Sequence, residues 1–203
     1  MRPAGLPPSL PERRLLERYL DLLYAESNHV NLTRVARSDA WARHIEESLD
    51  LVSCRNWAPS ERVLDLGSGG GLPGIPLAIA APQLSVGLIE RDLAKATFLL
   101  HCLGQLGLIG VRVFARDARE LARSQGFERA DVLVSRAALP ALDLLQIARR
   151  LLRPGGEGMV HVGPAVSLTE GLMERAESGG LGDLRVDPVG HSRLLRFVRL
   201  PAD

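Results

Sequence analysis

The stretch Glu61-Arg-Val-Leu-Asp-Leu-Gly-Ser-Gly-Gly-Gly-Leu-Pro-Gly74 constrains this chain more than any other. A short apolar run, Val63 to Leu66, meets glycines at 67, 69, 70, 71 and 74, and an apolar segment from Ile75 to Ala80 follows. Strand, glycine-rich turn and helix in that order form the first unit of a nucleotide-binding α/β sheet. Glycine adopts φ angles that other residues resist and lets the backbone approach a ligand, while free N–H groups at a helix start favour polar ligand atoms.

Two cofactor classes suit such a loop. Gly69-Gly70-Gly71-Leu72-Pro73-Gly74 matches G-x-G-x-x-G, the dinucleotide fingerprint, but one match inside a glycine cluster discriminates little. Asp65 separates the classes. Placed just before the glycines, its carboxylate would repel a pyrophosphate and attract the ammonium of an S-adenosylmethionine amino-acid tail, so S-adenosylmethionine is favoured. Glu90 closes the next apolar run, Leu84 to Ile89, where a strand-end acid takes ribose hydroxyls; it serves either cofactor.

The length of 203 residues suits one domain with an extension. Residues 1–60 read as an N-terminal helical extension and 61–203 as the cofactor-binding domain. Hydrophobic residues make up 46% and charged ones 24%, and no apolar run is long enough for a membrane span. Proline and glycine interrupt Met1 to Pro11 where a signal peptide would have its apolar core, so a flexible leader and a cytoplasmic protein are expected. Cys54 and Cys102 stand without CxxC spacing, which points to free thiols, with neither a metal site nor a disulfide. The net charge of +1 gives no global electrostatic case for nucleic acid. Lys95 is the only lysine among otherwise arginine cations, a bias that decides nothing by itself.

Before the sheet, Ser9 with Glu12 forms a capping box for a helix to about Glu26. A polar loop from Ser27 to Arg34 follows, then a second helix from Ser38-Asp39 to about Cys54 with Trp41, Ile45, Leu49 and Val52 on its buried side and His44, Glu47 and Ser48 elsewhere. From Glu61 strands and helices alternate. Strands are expected at 84–89, 111–115, 131–135 and 158–162, helices at 92–104, 117–123, 139–152 and 167–177, and an antiparallel pair at 184–187 and 194–199. Arg153-Pro-Gly-Gly156 reads as the stop of the helix before the fifth strand. Ligands lie beyond the C-terminal strand ends, so Asp65, the glycines, Glu90, Arg116 to Arg119 and Arg136 share one rim, with an adenine expected near 116–119.

Four pieces then carry a family resemblance: Asn31-Leu32-Thr33, His44-Ile-Glu-Glu-Ser-Leu49, Asp65-Leu-Gly-Ser-Gly-Gly-Gly-Leu-Pro-Gly-Ile-Pro76 with its two prolines, and Ser135-Arg136-Ala137. Over most of its length the chain resembles the bacterial small-subunit ribosomal RNA guanine-N7 methyltransferases, the glucose-inhibited division protein B family. The resemblance implies a class I S-adenosylmethionine-dependent methyltransferase, α/β, with a Rossmann-like, mostly parallel seven-stranded sheet after an N-terminal helical extension. It implies a guanine of 16S rRNA near the decoding centre as target, with 16S rRNA or the small ribosomal subunit as partner, no membrane and no metal. A monomer is expected. Gly67, Gly69, Gly71, Glu90 and Ala118 would line the cofactor pocket, with Asp65, Ser68, Leu72, Arg119 and Arg136 completing the expected set. Asn31 and Arg136 would be catalytic, facing the base or its phosphates. Glu47 stands where the family has Asp, His161-Val162-Gly163 where many members have Leu-Lys-Gly, and Arg119 where an acid is common.

Guanine N7 carries a lone pair and no proton, so its methylation requires positioning rather than a base. Arginine often binds O6 and N7 together; with N7 reacting, Arg136 would hold O6 or a phosphate. His44 reads as a structural hydrogen-bonding residue, and Trp41 and Trp57 as packing. A small-molecule methyltransferase on the same sheet and a non-catalytic S-adenosylmethionine- or RNA-binding protein remain the alternatives, with a dinucleotide oxidoreductase more remote.

Overall fold

The computed structural model describes residues 7–136, 139–164 and 166–201. Helix α1 (Leu10–Glu26) begins as its sequence dictates: Ser9 Oγ accepts from the Glu12 N–H, and the Glu12 carboxylate accepts from the Ser9 N–H at 2.6 Å. Its helical spacing brings Leu16, Tyr19, Leu20 and Leu23 to one face, all buried. At roughly 1.5–3 kcal/mol per fully buried leucine, that face holds the helix to the sheet layer.

The second helix differs from the expected one. Residues 38–54 do not form one α-helix: a 3-10 turn (Arg37–Asp39) and a π-helical segment (Trp41–Glu46) precede a short α2 (Glu47–Ser53). The wider π turn rotates the following side chains relative to an α-helix. His44 and Ser48, expected off the buried face, are therefore fully buried along with Ile45, whereas Trp41, Leu49 and Val52 are only partly buried. Apolar period alone could not register that inserted turn.

The remaining elements are β1 (Arg62–Leu66), α3 (Gly74–Ala80), β2 (Ser85–Ile89), α4 (Leu93–Leu106), β3 (Val111–Phe114), α5 (Ala118–Arg123), β4 (Ala130–Arg136), α6 (Ala141–Leu151), β5 (Leu152–His161), α7 (Glu170–Ser178), β6 (Leu181–Val189) and β7 (Ser192–Arg199). They build one seven-stranded sheet in the order β3-β2-β1-β4-β5-β7-β6, antiparallel only at β5–β7 and β6–β7. Asp92 and Asp117 cap α4 and α5. The Arg153-Pro-Gly-Gly156 stretch is not a loop between helix and strand; β5 starts at Leu152, directly after α6. Ala130 pairs with Leu152 and Val132 with Glu157, so the intervening residues bulge from the ladder. A Cβ on Gly156 would lie 2.9–3.2 Å from the carbonyl oxygens of Arg153, Asp131 and Ala130, which explains the glycine there. Strands β6 and β7 run longer than expected; Pro188 is tolerated because β6 is the edge strand.

Helices α1 to α4 cover one face of the sheet with Val63, Val86, Val132, Val134 and Met159 beneath them. Helices α5 to α7 cover the other, over Leu64, Leu66, Leu133 and Val160. Leu16, Tyr19, Leu20 and Leu23 share a core cluster with Leu72, Ile75 and Leu99, so the core runs across residue 60. Among the described residues no helix is long and apolar enough to cross a membrane.

Candidate functional site

Strand alternation sorts the polar residues at the strand ends before any side chain is oriented. Asp65 follows Val63 by two, Arg136 follows Val134, and His161 follows Met159, so all three belong to the face covered by α1 to α4. Leu66 and Ile89 belong to the other face. The strand ends thus carry two differently furnished halves.

The half on the α5–α6 side is a cavity of about 250 Å³, walled by Leu66, Ile89, Leu139 and Ile147. Gly67, Gly69, Glu90, Ala118 and Arg119, all expected around the cofactor, line it. The glycine loop is stitched to β2 by hydrogen bonds from the Gly67 and Ser68 N–H groups to the Ile89 carbonyl, each 3.0 Å. Gly67 and Gly69 have φ of +70° and +56°, values that favour glycine. Glu90 Oε2 accepts from the Gly69 N–H at 2.8 Å and Oε1 from the Asp92 N–H at 2.9 Å. Each oxygen retains a second lone pair for a hydroxyl.

The other expected cofactor residues lie elsewhere. Ser68 is buried and its hydroxyl donates to the Asp65 carbonyl at 3.1 Å. Gly71 packs on Ile75 and Leu99, and Leu72 is part of the core beneath α1 and α4. Asp65 is fully buried beneath the loop; Oδ2 accepts from the Gly74 N–H at 3.1 Å and Oδ1 has no hydrogen-bond partner. Burial foremost, and Glu90 to a lesser degree, push its carboxyl up to about 7 against the pull of Ser68, Gly74 and Arg136. Arg136 does not line the cavity, because alternation sends it to the opposite face.

Sequence reasoning missed Arg91, Lys95, Leu139 and Ile147 as cavity residues. Arg91 and Lys95 follow Glu90 into α4 and could have been found by that spacing; Leu139 and Ile147 had no signal, since α6 reaches the cavity only through tertiary packing. Arg119 Nη2 bonds to Asp143 at 2.8 Å, so an acid stands at this edge after all, contributed by α6.

The half under the N-terminal layer is polar. Arg136 Nη1 donates to the Arg43 carbonyl at 2.8 Å, both terminal nitrogens lie 3.3 Å from His44 Nδ1, and Glu47 Oε2 is 3.8 Å away. Guanidinium only donates, so Nδ1 accepts and Nε2–H donates to Thr33 Oγ1 at 2.8 Å. Burial first and Arg136 second lower the His44 pKa to about 4, which keeps it neutral. His161 Nε2 donates to the Glu47 carbonyl at 2.8 Å. Val162, at the position of the family lysine, packs against the second core cluster.

Asn31 is exposed, on the loop whose next residue, Leu32, touches the glycine turn: a Cβ on Gly70 would lie 3.3 Å from the Leu32 carbonyl oxygen and 2.8 Å from Leu23 Cδ1. Tyr19 fixes the same turn, its buried hydroxyl donating to the Gly70 carbonyl at 2.8 Å. The structure thus brings the Asn31 loop to the glycines and joins it to Arg136 through Thr33 and His44. Ala137 of the fourth motif lies outside the described residues. Cys102 is buried and Cys54 half-buried; both are free.

An apolar wall, an acid with spare acceptors and a turn whose half-buried Gly67 and Gly69 face the cavity fit an adenosyl group. Asp65 does not line the cavity, but its orphaned Oδ1 beneath the same loop is an unused acceptor of the kind a cationic amino-acid tail requires. Solved structures agree at the level of fold: TrmN from Thermus thermophilus superposes with a TM-score of 0.56 at 26% identity, covering 77% of this chain and 48% of that one. A mutant of MtNAS solved with S-adenosylmethionine superposes with a TM-score of 0.63 at 16% identity over 95% of this chain and 77% of that one. In sequence, the ribosomal RNA small subunit methyltransferase G of Chromobacterium violaceum is 36% identical over 148 residues, 72% of this chain and 68% of that protein. The protein of the same name from Solibacter usitatus is 34% identical over 164 residues, 78% and 76% respectively. The family model for GidB, rRNA small subunit methyltransferase G, matches residues 12–174, which span both halves of the site, and the chain belongs to that family.

Proposed function

We propose that this protein transfers a methyl group from S-adenosylmethionine to N7 of one guanine in 16S rRNA, with Asn31 and Arg136 positioning the target. The observation that carries the reading is the division of the strand ends into a cavity rimmed by Glu90 and a polar half centred on Arg136, in a chain of this family. The bound cofactor supplies a sulfonium methyl, an electrophile that a neutral nitrogen can attack. Glu90 accepts from ribose hydroxyls with its free lone pairs, and Gly67 and Gly69 give the backbone close approach. Arg136, held by the Arg43 carbonyl and His44 Nδ1, presents its remaining donors to guanine O6 or a flanking phosphate, leaving N7 free. Asn31, exposed on the adjoining loop, offers an amide to the same base.

No proton leaves N7, so holding it in line with the methyl suffices, and orientation alone can supply several kcal/mol, up to ~7–11 in well-oriented reactions. Tritiated methyl transfer to small subunits from a strain lacking the modification tests the reading, with the product mapped to guanine N7. Asn31→Ala and Arg136→Ala should each lower turnover at least tenfold while S-adenosylhomocysteine still binds. Wild-type turnover in both variants would remove them from the site.

A further inference from the structure

A second cavity, about 500 Å³ and larger than the one at the strand ends, is a groove between α5, α6 and α7, and nothing in the reaction above uses it. Its walls follow from helical spacing. Arg119 and Arg123 of α5 stand at i and i+4, and Gln146, Arg149 and Arg150 of α6 at i, i+3 and i+4. While α6 buries Leu144, Leu145, Ile147, Ala148 and Leu151, this second stripe faces outward. Arg175, near the end of α7, completes the rim.

Five arginines therefore face one acid, Asp143, and that acid is already bonded to Arg119. Arg123, Arg149, Arg150 and Arg175 are exposed and have no ion-pair partner among the described residues. Arginines elsewhere contrast with them: Arg13 pairs with Glu17, Arg37 with Asp21, Arg62 with Glu128 and Arg153 with Asp131. Glu174 and Glu177 flank Arg175 in the sequence but do not line the groove. A chain of net charge +1 has thus gathered unneutralised charge on one face. The crowding extends beyond the rim: after burial, Arg129 and Arg149 are what lower the pKa of Arg199.

We infer that this groove docks the phosphodiester backbone of the RNA substrate, at a distance from the methyl-transfer site. Planar guanidinium forks bind phosphate oxygens in pairs, and clustered arginines without carboxylate partners keep those donors available. The groove adjoins the cofactor cavity, since Arg119 and Ile147 line both, so a backbone lying in it is directed toward the strand ends. The identity of the polyanion rests on the rRNA reading proposed above; the groove itself does not.

The test uses the full chain with Arg123, Arg150 and Arg175 changed together to Gln, and a second variant with the same three changed to Lys. Binding of a fluorescein-labelled 16S rRNA hairpin is measured by anisotropy across salt concentrations, beside methyl transfer to unmodified small subunits. Each lost phosphate contact should reduce the log–log salt slope by ~0.7–0.9, so the Gln variant should lose roughly two to three. Its KM for subunits should rise at least tenfold, with kcat and S-adenosylhomocysteine affinity unchanged. The Lys variant should keep most of the slope. An unchanged slope and KM in the Gln variant, or an equal loss in the Lys variant, overturns the docking role. If the wild-type protein methylates no subunits, the methyl-transfer reading fails instead, and the hairpin titration still decides the groove.

Discussion

Replacing Asp65 by Asn should stabilise the ligand-free protein at alkaline pH while weakening its hold on the cofactor. Asp65 is fully buried, with one oxygen bonded to the Gly74 N–H and the other unpartnered, and burial lifts its carboxyl from 3.8 to about 7. A carboxyl that holds its proton more tightly when folded contributes stability that is complete below the unfolded value and is lost as pH rises through the folded one. At ~1.4 kcal/mol per pH unit, the charged carboxylate costs the apo protein about 4 kcal/mol at pH 8, of which some 3 kcal/mol accrues between pH 5 and pH 8. Asn keeps an oxygen for Gly74 and never ionises. The stability of Asp65→Asn relative to wild type should therefore shift in the variant's favour by about 3 kcal/mol over that interval.

Urea unfolding of both proteins at several pH values, without ligand, measures this shift. The wild-type curve alone would conceal it. His44, lowered to about 4, contributes stability that is present above its ordinary 6.5 and is lost as pH falls toward 4, so the two groups oppose each other in the same window. Subtracting the curves removes the His44 part. S-adenosylhomocysteine should bind the variant roughly 10- to 100-fold more weakly, the worth of a charge-assisted bond of ~1.5–3 kcal/mol. A pH-independent stability difference would refute the argument, since it would mean Asp65 does not titrate in this range.

Tyr19→Phe removes the buried bond to the Gly70 carbonyl and should cost ~1–3 kcal/mol in urea unfolding, because that oxygen is left without its partner. Gly70→Ala places a methyl against Leu23 and the Leu32 carbonyl; Leu23 can yield by turning its side chain, whereas relief at Leu32 requires the backbone of the Asn31 loop to shift, at a cost of ~1–3 kcal/mol and a larger loss in methyl transfer. His44→Ala frees Arg136 and Thr33 together, and should lower kcat at least tenfold while S-adenosylhomocysteine affinity stays near wild type; equal losses in both would indicate general unfolding.

Local chemistry was readable where it depends on neighbours in sequence. The Ser9–Glu12 box, the helices after Asp92 and Asp117, and strands β1 to β4 occur within a few residues of where pattern puts them. Gly67, Gly69, Glu90, Ala118 and Arg119 meet at one cavity because a parallel sheet brings the C-terminal ends of its strands to one rim. The expected residues that do not line the cavity share a cause. Gly71, Leu72 and Ser68 belong to the same loop as Gly67, but side chains and α carbons along a tight turn point in different directions, and only packing against α1 and α4 decides which are core.

Sequence by itself determined the sheet, the glycine turn and the acids at the strand ends, since hydrophobic period, turn chemistry and charge near a ligand act over short spans of chain. Tertiary structure alone decided which face each strand-end residue serves. It set Arg136 against His44 and Glu47 and away from the cavity, brought Asp143 to Arg119, and closed an arginine groove from three helices far apart in sequence. The first depends on a π turn that rotates one helix and on which helices cover each face of the sheet, the other two on how α5, α6 and α7 pack together, and none of these is set by the spacing of apolar residues.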